Sequence, residues 1–543
     1  MLIGGLALLA LAVRWPNLWL VPRYTDETLE VLHSLAIVRD GARPLTNYDS
    51  YYGALYNYAV AFALAISGES PLAPRVVVLL AGVATVVATY LLGAELGRRF
   101  APRLAGLLAA GLLATNGAHV VVNSHVAWSN CLTPLLTTLA FWALLKAQPT
   151  PSIAGGTGAR RTGAMNCAPT GSDPVGAQFI APARNAAWML PVAGLLLGLA
   201  LQTHPLVVAI LPGVALALLI RDWRIVKTPW PWLAVLAFLI GYANVLLYNA
   251  EQGFESLRSA QRIQAEYAHD EQAASGYMPT AGAMLLLLAR IVGGAVDQRE
   301  SVTAYLADPG VLTVAGLAVA GVVLLAMRRQ LLPLLVCLSF LLILPAANPK
   351  FQTLLTTRYL MPIVPLLFAC AAFTLVILAD LARRRWPGSR RRPLLAALLI
   401  GLTLVALPTI SLDRYYQRAF ERSDTNERIL RLVAEIEAAR RPDEVVIVDD
   451  SIGAELPDTG VTELRGIEHL LTFARVPYRS IRPSPGRLQD SFDGQPTVLA
   501  ILNARDAAAA AGRVRVEPLD PRPPAETGRM FDFRLYRLSP NGA

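Results

Sequence analysis

The feature that most restricts this chain is the recurrence of apolar runs long enough to cross a bilayer. They lie at about 2–20, 76–96, 103–118, 130–147, 186–203, 205–220, 231–249, 310–327, 331–347, 359–382 and 393–410, and their middles are free of acids. A helix needs about 20 such residues to traverse roughly 30 Å of hydrocarbon. Lipid also leaves only helices or closed barrels as spanning structures, because no water is there to satisfy the backbone. Of 543 residues, 54% are hydrophobic and 16% charged, which is too apolar for an ordinary soluble domain. The chain reads as a polytopic α-helical membrane protein of about eleven transmembrane helices.

Basic residues set the orientation. Arg98, Arg99 and Arg103 form one group, and Lys146, Arg160, Arg161 and Arg184 flank a second. Arg221, Arg224 and Lys227 follow, then Arg328 and Arg329, then Arg383–Arg385 and Arg390–Arg392. With eleven spans every group falls on one side, the cytoplasm by the positive-inside rule. The net charge of +9 is thus topology rather than a nucleic-acid patch. Counting Ala281–Val296 as a twelfth span would expose the later arginine groups outside. That segment, with its Arg290, and Ala54–Ser67 are read as interfacial helices on the outer face. Leu2 to about Val21 reads as the first span rather than a cleaved signal, with Arg14 snorkelling toward the interface.

Residues 1–410 form the expected transmembrane domain, with a first outer loop at 21–75, a Gly/Pro/Ala-rich cytoplasmic linker at 148–184 and a second large outer loop at 250–309. Residues 411–543 have the texture of a small extracytoplasmic α/β domain. Asp424 and Glu427 resemble a capping pair, and Ile429, Leu432, Val433 and Ile436 recur on one helix face. Val445–Val448 and Thr497–Leu502 read as buried strands, Phe533–Leu538 as an edge strand, and Asp449-Asp450 as a turn.

Cys131, Cys337 and Cys370 lie in apolar surroundings without C-x-x-C spacing and read as small core residues. The histidines show no metal-ligand spacing, so no metal site is expected, although a divalent cation between Asp26 or Glu27 and a phosphate stays open. The acids concentrate in outer loops. Asp26 and Glu27 stand in the loop after the first span, where charge close to lipid usually has a task; the plainer reading is a solvated pair neutralised by Arg23. An enzyme joining a sugar to a hydroxyl at this face needs a base, which Asp26 or Glu27 supplies. A departing lipid phosphate needs cations, which Arg358 and Lys350 supply.

The segment Tyr24-Thr25-Asp26-Glu27 resembles the Asp-Glu signature of the GT-C glycosyltransferases, including the protein O-mannosyltransferases and lipid A aminoarabinose transferases (glycosyltransferase 39-like). Tyr51-Tyr52-Gly53-Ala54-Leu55-Tyr56 resembles their aromatic segment, and Arg358-Tyr359-Leu360-Met361-Pro362 resembles their Arg-Tyr-apolar-apolar-Pro motif. The resemblance covers about residues 1–410. It implies a polyprenyl-phosphate-linked sugar donor, an inverting one-step transfer and a site at the outer face of the plasma membrane. Asp26 would be the base, and Glu27 would position a substrate. Arg358 would lie near the lipid phosphate with Tyr359 packed beside it, and Tyr52 and Tyr56 would belong to the substrate site. Where many relatives carry an Arg and an Asp in the second outer loop, His125 and Asn130 stand here, which removes a second acid. His125, and His204 in the outer turn Gln202-Thr203-His204-Pro205, are candidate phosphate or sugar contacts. The acceptor is left open among glycan, lipid and protein. A multi-pass transporter or flippase is the alternative, disfavoured because its ionisable residues belong at mid-membrane.

Overall fold

The computed structural model describes residues 2–18, 25–147, 186–268, 276–294, 307–351, 355–385, 392–422, 425–449, 463–481, 492, 494–502, 504–519 and 534–541. The segment 21–24, the linker 148–184, His269, Asp424 and Asp450 lie outside these residues, and for Thr25 and Asp26 the backbone alone is described.

The first half of the chain forms α1 (Leu2–Arg14), α2 (Thr25–Asp40), α3 (Leu55–Ser67), α4 (Ala73–Leu96), α5 (Pro102–Ala114), α6 (Gly117–Ser124), α7 (Thr133–Ala147), α8 (Met189–Thr203), α9 (Leu211–Arg221), α10 (Pro229–Gly241), α11 (Ala243–Glu251), α12 (Glu255–Ala268) and α13 (Tyr277–Val292). The helices Pro309–Met327, Leu332–Ala347, Val364–Arg385 and Arg392–Arg422 complete the bundle. Every apolar segment expected to span contains a helix. Among the described residues five helices are individually long and apolar enough to cross a membrane, and up to seven if the bent pairs α5–α6 and α10–α11 each count as one span. The remaining segments include shorter apolar helices such as Leu2–Arg14, Pro205–Arg221 and Leu332–Ala347. The chain is a multi-pass membrane protein.

Close helix contacts follow from small residues. Gly194 and Gly198 sit four apart on α8, and a Cβ on either would collide with the backbone of α10 at Ala234 or Phe238. Small-xxx-small spacing lets backbones approach where lipid offers no hydrophobic drive for association. The helix Val364–Arg385 is buried along most of its length, whereas Arg392–Gln417 presents mostly lipid-facing apolar side chains.

The bend of 67° between α5 and α6 has a local cause. The Asn116 side chain caps α6 by accepting from the His119 N–H at 2.9 Å. The break leaves the last carbonyls of α5 without helical partners. Arg14 fills that gap, donating to Leu113 O at 3.2 Å and to Ala114 O at 2.7 Å. Its other donors reach Ala10 O, Ser124 Oγ and His119 Nδ1. Arg14 is fully buried, so it does not snorkel. A cation at a helix C-terminus is favoured by the dipole, and that interior location outweighs the route to water.

The C-terminal region is built on a five-stranded sheet of order β2-β1-β3-β5-β4, with β1 Val446–Asp449, β2 Tyr478–Ile481, β3 Val498–Leu502, β4 Val514–Pro518 and β5 Arg534–Pro540. β1 pairs in parallel with β2 and β3, and β5 runs antiparallel between β3 and β4. The expected edge strand is therefore internal. The edge belongs to β4, whose terminal Pro518 suits a position that need not donate. The helix Thr425–Ala439 buries Ile429, Val433 and Ile436 against this sheet, as their spacing predicts. The helix Arg392–Arg422 runs through the expected division at residue 410, and its Leu412 and Tyr416 pack with the outer part of the bundle. Cys131, Cys337 and Cys370 are free and buried.

Candidate active site

The acid segment opens a helix rather than lying in a loop. Thr25–Asp40 is helical, and Val31 and Leu35 form its buried stripe. Asp26 and Glu27 occupy the first turn, where the helix dipole favours negative charge. Asp26 is thus fixed in its backbone position, and its side chain lies outside the described atoms. Glu27 is fully buried and holds Arg75, in the first turn of α4, in a two-pronged pair at 2.8 and 3.0 Å. Arg75 also donates to Leu18 O. Glu27 thereby ties the start of α2 to the start of α4.

One turn further along α2, the buried Glu30 carboxylate accepts two hydrogen bonds from Ser129, from N–H at 2.7 Å and from Oγ–H at 3.1 Å. The Asn57 side chain of α3 donates to the Glu30 carbonyl at 2.8 Å. Tyr56, on the same helix, is fully enclosed and its hydroxyl has no partner among the described residues. Burial, then the nearby Glu30 carboxylate, holds the Tyr56 phenol well above its ordinary pKa, so it stays protonated.

Trp128 precedes Ser129 and joins the acid region to a cationic one. Its indole Nε1–H donates to Val122 O at 3.0 Å, and the Arg358 guanidinium lies 4.4 Å from the ring centroid. Arg358 also lies 5.1 Å from the ring centroid of Tyr359 and donates to its hydroxyl at 3.2 Å. Tyr359 in turn meets His204 edge-on at 5.4 Å, and His204 meets Tyr52 at 5.9 Å. Tyr52 meets Tyr51 with tilted rings, their centroids 4.5 Å apart. Gly53 brings this segment against α8: its N–H donates to Gln202 O at 2.8 Å, and a Cβ there would strike the Gln202 side chain.

His204 sits in the turn after α8, and its Nδ1 accepts from the Leu206 N–H at 3.1 Å. The proton of the neutral ring therefore rests on Nε2, which is buried and has no partner among the described residues. Burial, with Arg358 nearby, pushes its pKa down to about 3. His125 is handled differently. Its Nε2–H donates to Arg14 O at 2.6 Å while Nδ1 accepts from the Tyr416 hydroxyl at 2.9 Å, which fixes its tautomer. It is a fully engaged link between α1 and the helix that leads to the C-terminal domain. Lys350 follows the helix Leu332–Ala347, its backbone N–H bound to the Asn348 side chain at 3.0 Å.

The structure therefore brings Arg358, Tyr359, His204 and Tyr52 into one aromatic and cationic cluster. Glu27 and Tyr56 fall in the adjoining acid cluster, and His125 joins the Arg14 network. Among the described residues no group of three or more His, Cys, Asp and Glu side chains converges as a metal site. Trp128, Ser129, Glu30 and Arg75 are the further members. Arg75, by sequence a weaker candidate for the phosphate, is bound to Glu27 instead, and the signal for Glu30 is its i, i+4 spacing from Asp26, legible once 25–40 is read as helix.

The helical bundle and the C-terminal sheet define a polytopic α-helical membrane protein with a small C-terminal α/β region. The crystal structure of ArnT from Cupriavidus metallidurans bound to undecaprenyl phosphate matches it with a TM-score of 0.62 at 13% identity, over 99% of this chain and 97% of that chain. An oligosaccharyltransferase from Archaeoglobus fulgidus, tethered with an acceptor peptide, is more distant, with a TM-score of 0.49 at 12% identity over 94% of this chain and 70% of that chain. No family model and no curated protein matches the sequence.

Proposed function

We propose that this protein is a membrane glycosyltransferase that moves a sugar from a polyprenyl-phosphate-linked donor to an acceptor hydroxyl at the outer face of the plasma membrane. The observation that carries this reading is the neighbourhood of Arg358. A half-buried guanidinium rests against the rings of Trp128 and Tyr359 near the buried His204 imidazole, and Ser129, next to Trp128, is bound to Glu30 of the helix that starts with Asp26-Glu27. A guanidinium resting on aromatic rings keeps the planar fork of donors that matches a phosphate. The undecaprenyl phosphate bound in ArnT is an anion of the required kind.

In this mechanism the Asp26 carboxylate removes the proton of the acceptor hydroxyl. The acceptor oxygen bonds to the anomeric carbon from the face opposite the phosphate, with inversion. The carbon–oxygen bond to phosphate breaks, its electron pair stays on the phosphate oxygen, and polyprenyl phosphate departs. Arg358 stabilises the charge that develops on the leaving phosphate, and the His204 Nε2–H is a second donor to it. Tyr359 and Tyr52 wall the sugar side. Glu27, through Arg75, holds the first turn of α2 in place and so positions Asp26. The helical bundle, through the helix Arg392–Arg422, carries the transfer, and the sheet region that follows forms an extracytoplasmic domain.

Transfer from a panel of radiolabelled polyprenyl-phosphate sugars, in membranes containing wild type or Asp26→Asn at matched levels, tests this reading. Loss of a general base costs about 10²–10⁴-fold in rate. Transfer by wild type that drops by that factor in Asp26→Asn supports it. Equal transfer by both proteins removes Asp26 as the base.

A further inference from the structure

We infer that Glu30 is a positioning residue that sets the placement of Arg358 through Ser129 and Trp128. This rests on the reading of Arg358 as the group that meets the donor phosphate. The argument begins with the cost of the carboxylate. A charge as buried as Glu30 is tolerated when hydrogen bonds replace its water. Both of the hydrogen bonds it accepts from Ser129 anchor one place on the chain, and one of them comes from the backbone. Such a pair immobilises the main chain at 128–129 as well as a side chain.

Trp128 is therefore fixed from two directions. Its backbone, extended at φ −132° and ψ 162°, leads directly into the Ser129 N–H that Glu30 grips, and its indole N–H is tied to Val122 O. The ring face so held is the surface on which the Arg358 guanidinium lies. Glu30 follows Asp26 by four residues on α2, so both belong to one helix face. The separation between the base and the phosphate-binding cation is then carried by one rigid path: α2, the Glu30 carboxylate, the 128–129 backbone, the indole and the guanidinium. Arg358 itself is more than three hundred residues away in sequence. A site of this kind loses function with displacements of about 1 Å.

The test is a double-mutant cycle on binding of undecaprenyl phosphate to the full-length protein in nanodiscs, using wild type, Glu30→Gln, Arg358→Ala and the double variant. A carboxamide presents one acceptor and one competing donor to Ser129, so Glu30→Gln disturbs the path without changing its size. The expected result is binding weakened roughly tenfold in Glu30→Gln, in the range of couplings between connected residues. The double variant should then bind no worse than Arg358→Ala alone. A structural defect unrelated to Arg358 would instead multiply with the Arg358→Ala loss, and that outcome overturns the proposal. Wild-type binding by Glu30→Gln alongside weakened binding by Arg358→Ala also overturns it. Wild-type binding by Arg358→Ala overturns both this inference and the function it rests on, so the two failures are distinguishable. If Glu30→Gln does not fold, Ser129→Ala takes its place in the cycle. It removes the Oγ–H donor and keeps the N–H, and an effect of about threefold that vanishes in the Arg358→Ala background is the supporting result.

Discussion

Arg75 and Arg358 belong to the same bundle and are treated in opposite ways. Arg75 is fully enclosed and spends its fork on a carboxylate and a carbonyl, so its charge is cancelled where it stands. Arg358 is half-buried, and its guanidinium rests against the rings of Trp128 and Tyr359. A buried ion pair fixes geometry between elements, and removing one partner is costly because the other charge is stranded. A stacked guanidinium contributes less to the fold and more to whatever anion arrives. The same residue type is thus a bolt in one region and, in the proposed reaction, a receptor in the other.

Four experiments press on that contrast, the largest effect first. Arg75→Ala strands Glu27 and should lower stability by about 3–5 kcal/mol, read as loss of folded protein in detergent or a large fall in Tm. Replacing both partners, as in Glu27→Met with Arg75→Met, should recover most of that loss, because the uncompensated charge is gone. Arg358→Ala should leave the free energy of unfolding within about 1 kcal/mol of wild type while cutting transfer about 10²-fold, the cost of losing one stabilising donor at a reacting anion. A large fall in Tm for Arg358→Ala would erase the distinction between the two arginines.

The third experiment concerns pH. His204 is neutral in the fold, its pKa lowered to about 3 from an ordinary value of 6.5. The unfolded chain therefore binds the proton first. The neutral-His204 contribution is present above about pH 6.5 and is lost as pH falls toward 3. His204→Gln should flatten this part of the Tm profile between those values, whereas variants of Arg75 should not. The smallest effect is expected at the outer ends of α2 and α3. Glu69 accepts from Arg39 at 2.7 Å and from Arg475 of the C-terminal region at 3.1 Å, and its carboxyl is held below the usual range by Arg39 first. Glu69→Gln should raise hydrogen exchange around Arg475 with little change in Tm, since exposed pairs contribute about 0–1 kcal/mol.

Much of the architecture is legible in the sequence because lipid imposes a simple length and composition rule. The segments expected to span are helical, and the period of Ile429, Val433 and Ile436 forecasts their burial. What escapes is what depends on partners distant in sequence. The helical character of 25–40 is hidden because polar residues break its apolar stripe, so Glu30 reads as one more loop acid. Arg14 reads as a snorkelling residue because nothing local reveals the broken helix 100 residues later whose carbonyls it satisfies. β5 reads as an edge because its alternation does not disclose β4, which covers it. The motif around Arg358-Tyr359 is visible by resemblance, but its stacking on Trp128 is a tertiary fact.

The most direct measurement is a cryo-EM structure of the protein in nanodiscs with undecaprenyl phosphate. The phosphate is predicted within about 3 Å of the Arg358 guanidinium, hydrogen-bond distance, with His204 Nε2 and the Asp26 end of α2 facing the same space. A phosphate seated at the opposite membrane face, or one that leaves Arg358 on its aromatic faces without contact, would contradict the account.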